Sequence, residues 1–421
     1  MTLAEYRQDM ETCCRCSACK FIPLENVKGA DNVTICPSIA RYNYHSYSGG
    51  GRLGMGIALL ENELNFTDKL RDIVYACQMC GGCDTSCKYA MDMEVFEPIS
   101  EMRIACVEHG KTLPVFDDMA NNLRRSGHLV PAASDVNWYD GLNIKNCGQQ
   151  KTSVIFHAGC RTAADRSLWD TARNSIALIQ KAGIDIGIAG AEEQCCGGRA
   201  YYLGYKNDFF KLAERNMERF TKSGVTTLVT GCAECYQAFK VLYDRFGFQG
   251  KLEVLHTSEY FLRLIKEGKI SPVKKVDMTI TYHDPCYLGR LGEPWIHWEG
   301  TQKPGQIRLF DPPKEFRRGT HGVYGAPRDL LKSIPGIRLV EMDRTREYAW
   351  CCGAGGGVKE NIPAFAAWTA DIRLKEAAST GAEALVTACP GCERNFADAR
   401  QEQTGSLPVF DIVDLLARSV L

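Results

Sequence analysis

The feature that most constrains this chain is a constellation of five cysteines that occurs twice. A lone cysteine, Cys160, is followed after 34 residues by the adjacent pair Cys195-Cys196, and after 35 more by the C-x-x-C of Cys232 and Cys235. Cys286, the pair Cys351-Cys352 and Cys389 with Cys392 repeat the order. The flanking text recurs too: "TITYHDPC" matches "SVIFHAGC", "WCCGAGGG" matches "QCCGGRAY", and "GAEALVTACPGC" matches "GVTTLVTGCAEC". The offset between copies is 126 residues at the lone cysteine, 156 at the pair and 157 at the C-x-x-C. The chain is therefore a tandem duplication, with an insertion of about 30 residues in the second copy near "EPWIHWEGTQKPGQIRLFDPPKEFRRGTHG". Its Pro, Gly, Trp and charged residues suggest a surface loop or partner contact.

Within each copy short β-rich runs alternate with helical periodicity. "SVIFHAGC", "IDIGIAG" and "VTTLVTG" read as strands; "DRSLWDTARNSIALIQKAG", "DFFKLAERNMERFTKSG" and "CYQAFKVLYDRFG" read as helices. The expected fold is α/β over the C-terminal two-thirds, two tandem repeats of βα units around largely parallel sheets. The N-terminal part is expected to be a mostly α-helical, ferredoxin-like domain. The expected boundaries are 1–130 for that domain, 131–150 for a linker, 151–270 for the first repeat and 271–421 for the second.

The N-terminal part supplies a second sulfur pattern. "CCRCSAC" places Cys13, Cys16 and Cys19 at C-x-x-C-x-x-C spacing, with Cys36 beyond; "CQMCGGCDTSC" places Cys77, Cys80 and Cys83 likewise, then Cys87. Three thiolates so spaced wrap one corner of a cubane, and the fourth comes from the other motif in two-cluster ferredoxins. That logic pairs Cys13, Cys16 and Cys19 with Cys87, and Cys77, Cys80 and Cys83 with Cys36. Zinc knuckles also use C-x-x-C pairs, but the tripled spacing, twice over, favours iron–sulfur.

Each repeat offers five thiols, whereas a cubane takes four. One sulfur is then spare, or it bridges two irons in a cluster that is not a simple cubane. The vicinal pair fits bridging, and Gly353, Gly355 and Gly356 let the chain bend near the metal. A C-x-x-C between strand and helix is also the context of a redox dithiol, but that reading leaves the rest of the constellation unexplained.

Composition supports metal or redox use of the sulfur. There are 21 cysteines, an odd number, and the opening "MTLAEYRQDM" carries no secretory h-region, so a disulfide framework is not expected and a cytoplasmic location is. The net charge of −1 gives no nucleic-acid footprint. No apolar run is long enough to span a membrane. "SGGGRLGMGIALLENEL" contains G-x-G-x-x-G at Gly49, Gly51 and Gly54, but no strand precedes it, as a dinucleotide fingerprint requires. His157 and His283, each three residues before a lone cysteine, read as structural residues at strand ends, with cluster tuning as the alternative. Arg161, Arg199 and Arg290 are candidates for an anionic substrate or for solvated charge. Cys14, Cys106 and Cys147 receive no role.

The five-cysteine pattern resembles the cysteine-rich CCG domain of the B-type and D-type subunits of heterodisulfide reductase, and "HDPCYLGR", "YGAPRDLLKSIPGI" and "WCCGAGGG" are its most family-like phrases. The whole chain resembles the D-type subunit of heterodisulfide reductase and relatives that include iron–sulfur subunits of glycolate and lactate oxidases. The resemblance implies two [4Fe–4S] cubanes feeding one or two noncubane [4Fe–4S] clusters. One is assigned to Cys160, Cys195, Cys196, Cys232 and Cys235, the other to Cys286, Cys351, Cys352, Cys389 and Cys392. It implies an oxidoreductase subunit that relays electrons within a larger complex, with a flavoprotein like the A-type component of heterodisulfide reductase or other redox subunits as partner. Electron transfer for a class II benzoyl-CoA reductase is one specific expectation. Direct disulfide reduction and service to a glycolate- or lactate-type oxidase are the alternatives.

Overall fold

The computed structural model describes residues 2–29, 31–131, 137–303, 309–401 and 407–421. The N-terminal part is helical, as expected. Its principal helices are Gly49–Leu60, Asp68–Tyr75, Gly82–Met91, Phe96–Glu108 and Pro114–Ser126. The last shows why the sequence starts and stops a helix there. Pro114 supplies a preset φ at the first position, and Gly127 takes the left-handed conformation that closes the end.

Beyond it lie two separate parallel sheets. The first contains β1 (Lys145–Asn146), β2 (Val154–Phe156), β3 (Ile186–Ile188), β4 (Thr227–Thr230) and β5 (Glu253–His256), in the order β1-β3-β2-β4-β5. The second contains β6 (Met278–Tyr282), β9 (Ile337–Val340), β10 (Ala384–Thr387) and β11 (Val409–Asp411), in the order β11-β10-β6-β9. Every adjacent pair is parallel. Between them in sequence, β7 (Thr301–Lys303) and β8 (Leu309–Asp311) form an antiparallel hairpin within the insertion.

Strand order explains where the sulfurs gather. From β2 the chain moves to β3 on one side and then to β4 on the other; from β6 it moves to β9 and then to β10. Each sheet thus reverses direction between two adjacent central strands, the place where open α/β sheets form a crevice at the strands' carboxyl ends. Cys160 and Cys286 follow the first strand of each reversal, and the C-x-x-C motifs follow the second. The vicinal pairs arrive from the loops after β3 and β9.

The sequence places the strand at "VIF" and the helices at Trp169–Lys181 and Lys206–Ser223 where they are found. "CYQAFKVLYDRFG" is less regular than expected: Ala233–Gln237 passes into a π-helical segment, Ala238–Leu242, before Tyr243–Arg245. Part of the expected linker is structured, because Lys145 and Asn146 pair with Gly187 and Ile188 as the edge strand β1. Two residues are too short for periodicity to reveal. The insertion, expected to be a loop, carries the β7–β8 hairpin, with Trp298 stacked edge-on against Phe310.

One continuous apolar core runs from Leu3 to Val420 through all three parts. Arg103, fully buried, spans it: its guanidinium donates to the carbonyls of Val74 (3.3 Å), Cys77 (2.6 Å), Tyr202 (2.9 Å) and Gly356 (2.8 Å). A buried charge is tolerable only with such hydrogen bonding.

Candidate functional site

The helix Gly49–Leu60 begins against the first sulfur group. Ser48 caps it by accepting from Gly51 N at 3.1 Å, and Gly50 N donates to Cys19 Sγ at 3.4 Å. A Cβ on Gly50 would lie 3.2 Å from Cys13 Sγ, so glycine permits the approach. The G-x-G-x-x-G is thus a helix start preceded by a 3-10 turn, His45–Tyr47, not by a strand. Cys19 is pushed down to about 6 by its hydrogen bond with Cys87, while the Cys87 thiol is pushed up. Cys13 lies beside Cys14, Cys16 and Cys19, with Cys14 and Cys16 exposed.

The second group comprises Cys36, Cys77, Cys80 and Cys83, each within electrostatic reach of others in the set. Burial pushes Cys36 up to about 12. Cys83 also senses Cys19, so the two N-terminal groups are neighbours.

The repeats build matching pockets of sulfur. In the first, Cys160 Sγ lies 3.8 Å from Cys195 Sγ, and Gly197 N donates to Cys195 Sγ at 3.4 Å. Hydrogen bonds with Cys195 and Cys235 draw Cys196 down to about 6, and Cys235 in turn meets Cys232. In the second, Gly353 N donates to Cys351 Sγ at 3.3 Å; Cys351 meets Cys286 and Cys352, and Cys352 meets Cys392, which meets Cys389. All ten cysteines are buried except Cys160, which is half-buried. Asn216 and Asn395 each donate to a carbonyl of the vicinal pair, Cys195 O at 3.0 Å and Cys352 O at 2.7 Å.

The groups also touch one another. Cys80 hydrogen bonds with Cys351 and is drawn down to about 6. Cys389 hydrogen bonds with Cys232 across the two repeats. The sulfurs therefore form a series: the Cys13/Cys19/Cys87 group, the Cys36/Cys77/Cys80/Cys83 group, the second repeat, then the first. Spacing in the sequence carries no sign of this order, because both contacts cross between folded parts.

The thiol sets fit iron–sulfur groups on their own chemistry. Convergent, buried sulfurs with backbone N–H donors and almost no oxygen ligands suit soft metal clusters. When bound, such clusters would supply one-electron storage and transfer.

Other expected residues fall differently. His283 lies with a ring nitrogen within 4.8 Å of the Cys352 and Cys392 sulfurs, so it is more than a strand-end residue. His157 is buried 3.7 Å from a Glu193 carboxylate oxygen. Burial lowers the pKa of both. Arg290 is not available for an anionic substrate: it donates to the carbonyls of Cys80 (2.6 Å), Glu347 (2.7 Å) and Ala349 (2.9 Å), tying together the loops that bear Cys80 and Cys351. Arg199 is likewise committed, to Glu360 at 2.5 Å. Arg161 is half-buried, near Gly391. Cys106 and Cys147 are buried, with Cys106 in helix Phe96–Glu108 and Cys147 bonded through its backbone to Ile188 and Ser223. Sequence reasoning missed Gly50 and Arg103, whose roles arise only from tertiary proximity.

A 4Fe-4S dicluster domain model matches residues 9–91, and a cysteine-rich domain model, CCG, matches residues 154–240 and 314–397. The chain is 31% identical to the D-type subunit of dihydromethanophenazine:CoB–CoM heterodisulfide reductase from Methanosarcina acetivorans, over 98% of this chain and 94% of that protein. It is 30% identical to the probable iron-sulfur-binding oxidoreductase FadF of Bacillus subtilis, covering 83% of this chain and 46% of that one. Similarity to the EtfAB:quinone oxidoreductase of Syntrophomonas wolfei is 28%, over 83% and 47%. A crystal structure of a hypothetical protein from Helicobacter pylori shares the fold, with TM-score 0.53 and 9% identity over 90% of this chain and 68% of that one. Among the described residues no helix is long and apolar enough to cross a membrane. With its dicluster segment, its two cysteine-rich segments and this near full-length similarity, the chain belongs to the family of D-type heterodisulfide reductase subunits, which are iron–sulfur oxidoreductase components.

Proposed function

We propose that the chain is an electron relay within a larger cytoplasmic redox complex, with four clusters in series. Cys13, Cys16, Cys19 and Cys87 would hold one cubane; Cys36, Cys77, Cys80 and Cys83 would hold the other. The five thiols of each repeat would hold a noncubane [4Fe–4S] cluster. The expected domains are the 1–130 dicluster unit, a 131–150 connection, and repeats at 151–270 and 271–421. The supporting observation is the pair of thiol–thiol hydrogen bonds between groups, Cys80 with Cys351 and Cys389 with Cys232. Adjacent ligands of this kind bring redox centres within tunnelling range of one another.

The partner is a flavoprotein or another redox subunit, and delivery of electrons to a class II benzoyl-CoA reductase is the specific role we favour. The test is anaerobic purification followed by iron and acid-labile sulfide analysis. Four filled sites require about 16 irons per chain; a colourless preparation holding zinc sinks the reading.

One observation favours a second role, direct reduction of a small disulfide. Cys160, the one repeat cysteine that is half-buried rather than buried, borders a cavity of about 230 Å³ that His128, Trp138, Tyr139 and Glu193 also line. Two electrons and two protons would convert the disulfide to two thiols. Turnover by the isolated chain with a viologen donor, lost in Cys160→Ser, distinguishes this from a pure relay, which has no such activity.

A further inference from the structure

The two repeats place a histidine at the same point, three residues before the lone cysteine, yet they surround it with opposite chemistry. His157 and His283 are both buried, and each ring meets a phenylalanine edge-on: Phe239 at 5.0 Å and Phe396 at 4.9 Å between centroids. On both, Nε2 is buried with no hydrogen-bond partner among the described residues, and a ring nitrogen of His283 lies within 4.8 Å of the Cys352 and Cys392 sulfurs. The difference lies at Nδ1.

In the second repeat Arg373 Nε donates to His283 Nδ1 at 3.2 Å. An arginine N–H can only donate, so Nδ1 must accept, and in a neutral imidazole the proton then sits on Nε2. Arg373 is held for this by Glu376, which accepts from its Nη1 at 2.8 Å. In the first repeat the group facing Nδ1 of His157 is the Glu193 carboxylate, at 3.7 Å. Glu193 is fixed by the N–H groups of Ala158 (3.2 Å) and Gly159 (2.8 Å). At 3.7 Å the carboxylate is beyond hydrogen-bond length, and it is its negative charge that favours the proton on Nδ1 and leaves Nε2 with its lone pair.

The sequence repeats show that this is a matched exchange. At the offset of 157 residues Arg373 corresponds to Asn216, and Glu376 to Arg219; at the offset of 156 Glu193 corresponds to Ala349. Asn216 is engaged with Cys195 O and the Tyr243 hydroxyl and does not serve His157. Each repeat therefore has one of the two controlling groups and lacks the other.

We propose that Arg373 and Glu193 are positioning residues that hold His283 and His157 in opposite tautomers, making the two five-thiol centres electronically unequal. His283 presents Nε2–H to the sulfurs of Cys352 and Cys392; His157 presents no proton to its own centre. A hydrogen bond to a thiolate stabilises the more negative, reduced state. The second-repeat centre therefore has the higher potential for otherwise equal ligands. This inference rests on the proposed assignment of clusters to the two repeats.

The test uses the anaerobic holoprotein labelled with ¹⁵N-histidine. Pulsed EPR before and after exchange into deuterium oxide is expected to show a histidine with an exchangeable proton coupled to one of the two five-thiol signals and not to the other. His283→Phe should abolish that coupling and lower the midpoint potential of the same signal alone. Arg373→Met should do likewise, and Arg373→Lys, which keeps a donor, should restore it. Equal exchangeable couplings at both centres, or none at either, overturn the proposal even if the variants do not fold. So does a potential that His283→Phe leaves unmoved. Absence of both five-thiol EPR signals in iron-loaded protein instead overturns the cluster reading itself, and this inference with it.

Discussion

At the scale of single residues, the same burial that gathers the sulfurs leaves some groups at a cost. Glu101, on helix Phe96–Glu108, is 3% exposed and its Oε1 has no partner among the described residues. Burial pushes its carboxyl up to about 7, with Glu97 adding and Lys206 and Arg245 opposing. The folded state thus binds a proton more tightly than the unfolded chain. Stability falls as pH rises from the unfolded value near 4.5 through 7, and the loss is complete above that. The span corresponds to about 3 kcal/mol at most. Glu101→Gln should accordingly raise the denaturation midpoint at pH ~8, and the gain should vanish below the unfolded value. A gain equal on both sides of that window would show that ionisation of Glu101 is not the cause. His256 works in the other direction: burial lowers it from 6.5 to about 4, so the neutral ring costs nothing above the unfolded value, and stability is lost as pH falls from 6.5 toward 4.

At the scale of elements, the repeats are legible in the sequence because they preserve local pattern. β-rich runs before each cysteine, helix caps at Gly127 and Gly224, and the spacing of the thiols are all written within a few residues of where they act. The α/β class and the helical N-terminal part follow from that. The two-residue strand β1 and the π-helical turn after Cys235 are illegible, since one depends on the neighbour it pairs with and the other on packing. The glycine run after Cys352 suggests a bend toward metal in the sequence, but its packing gives it another use. Gly356 adopts a φ of 60°, and a Cβ there would lie 2.6 Å from the Cys77 carbonyl oxygen. The run lets the second repeat seat against the loop that bears Cys77 and Cys80. Gly356→Ala should cost about 1–2 kcal/mol in conformation alone, with more from displacing the Cys77 loop. With clusters placed as proposed, magnetic coupling between the second N-terminal cluster and the second-repeat centre, read by EPR, should weaken while the first repeat's signal keeps its shape. Undiminished coupling would mean that this seat does not set the spacing.

At the scale of the whole molecule, three sequence units become one body because shared polar groups cross their boundaries as well as apolar ones. Arg103 is the clearest case, since the carbonyls it binds belong to the N-terminal part, to Tyr202 in the first repeat and to Gly356 in the second. Nothing in the sequence marks it: an arginine in an otherwise ordinary helix, "EMRIAC", has no local signature of burial. Its guanidinium presents a planar fork of donors, and a lysine cannot reproduce it. Arg103→Lys removes donors from several buried carbonyls at once, and each orphaned group costs about 1–3 kcal/mol. The expected total is therefore several kcal/mol, and the loss should fall on the joints between parts before it reaches their interiors. Limited proteolysis of the holoprotein should then cut between the N-terminal part and the repeats, where the native chain resists. The order of the sulfur groups sharpens the outcome. Cys80 meets Cys351 only while the N-terminal part stays seated, so reductant supplied to the N-terminal clusters should reach the repeats more slowly. Direct chemical reduction of the repeats should be unchanged. If the variant loses stability but electrons still pass at the native rate, the joint at Arg103 holds the parts together without setting their registration.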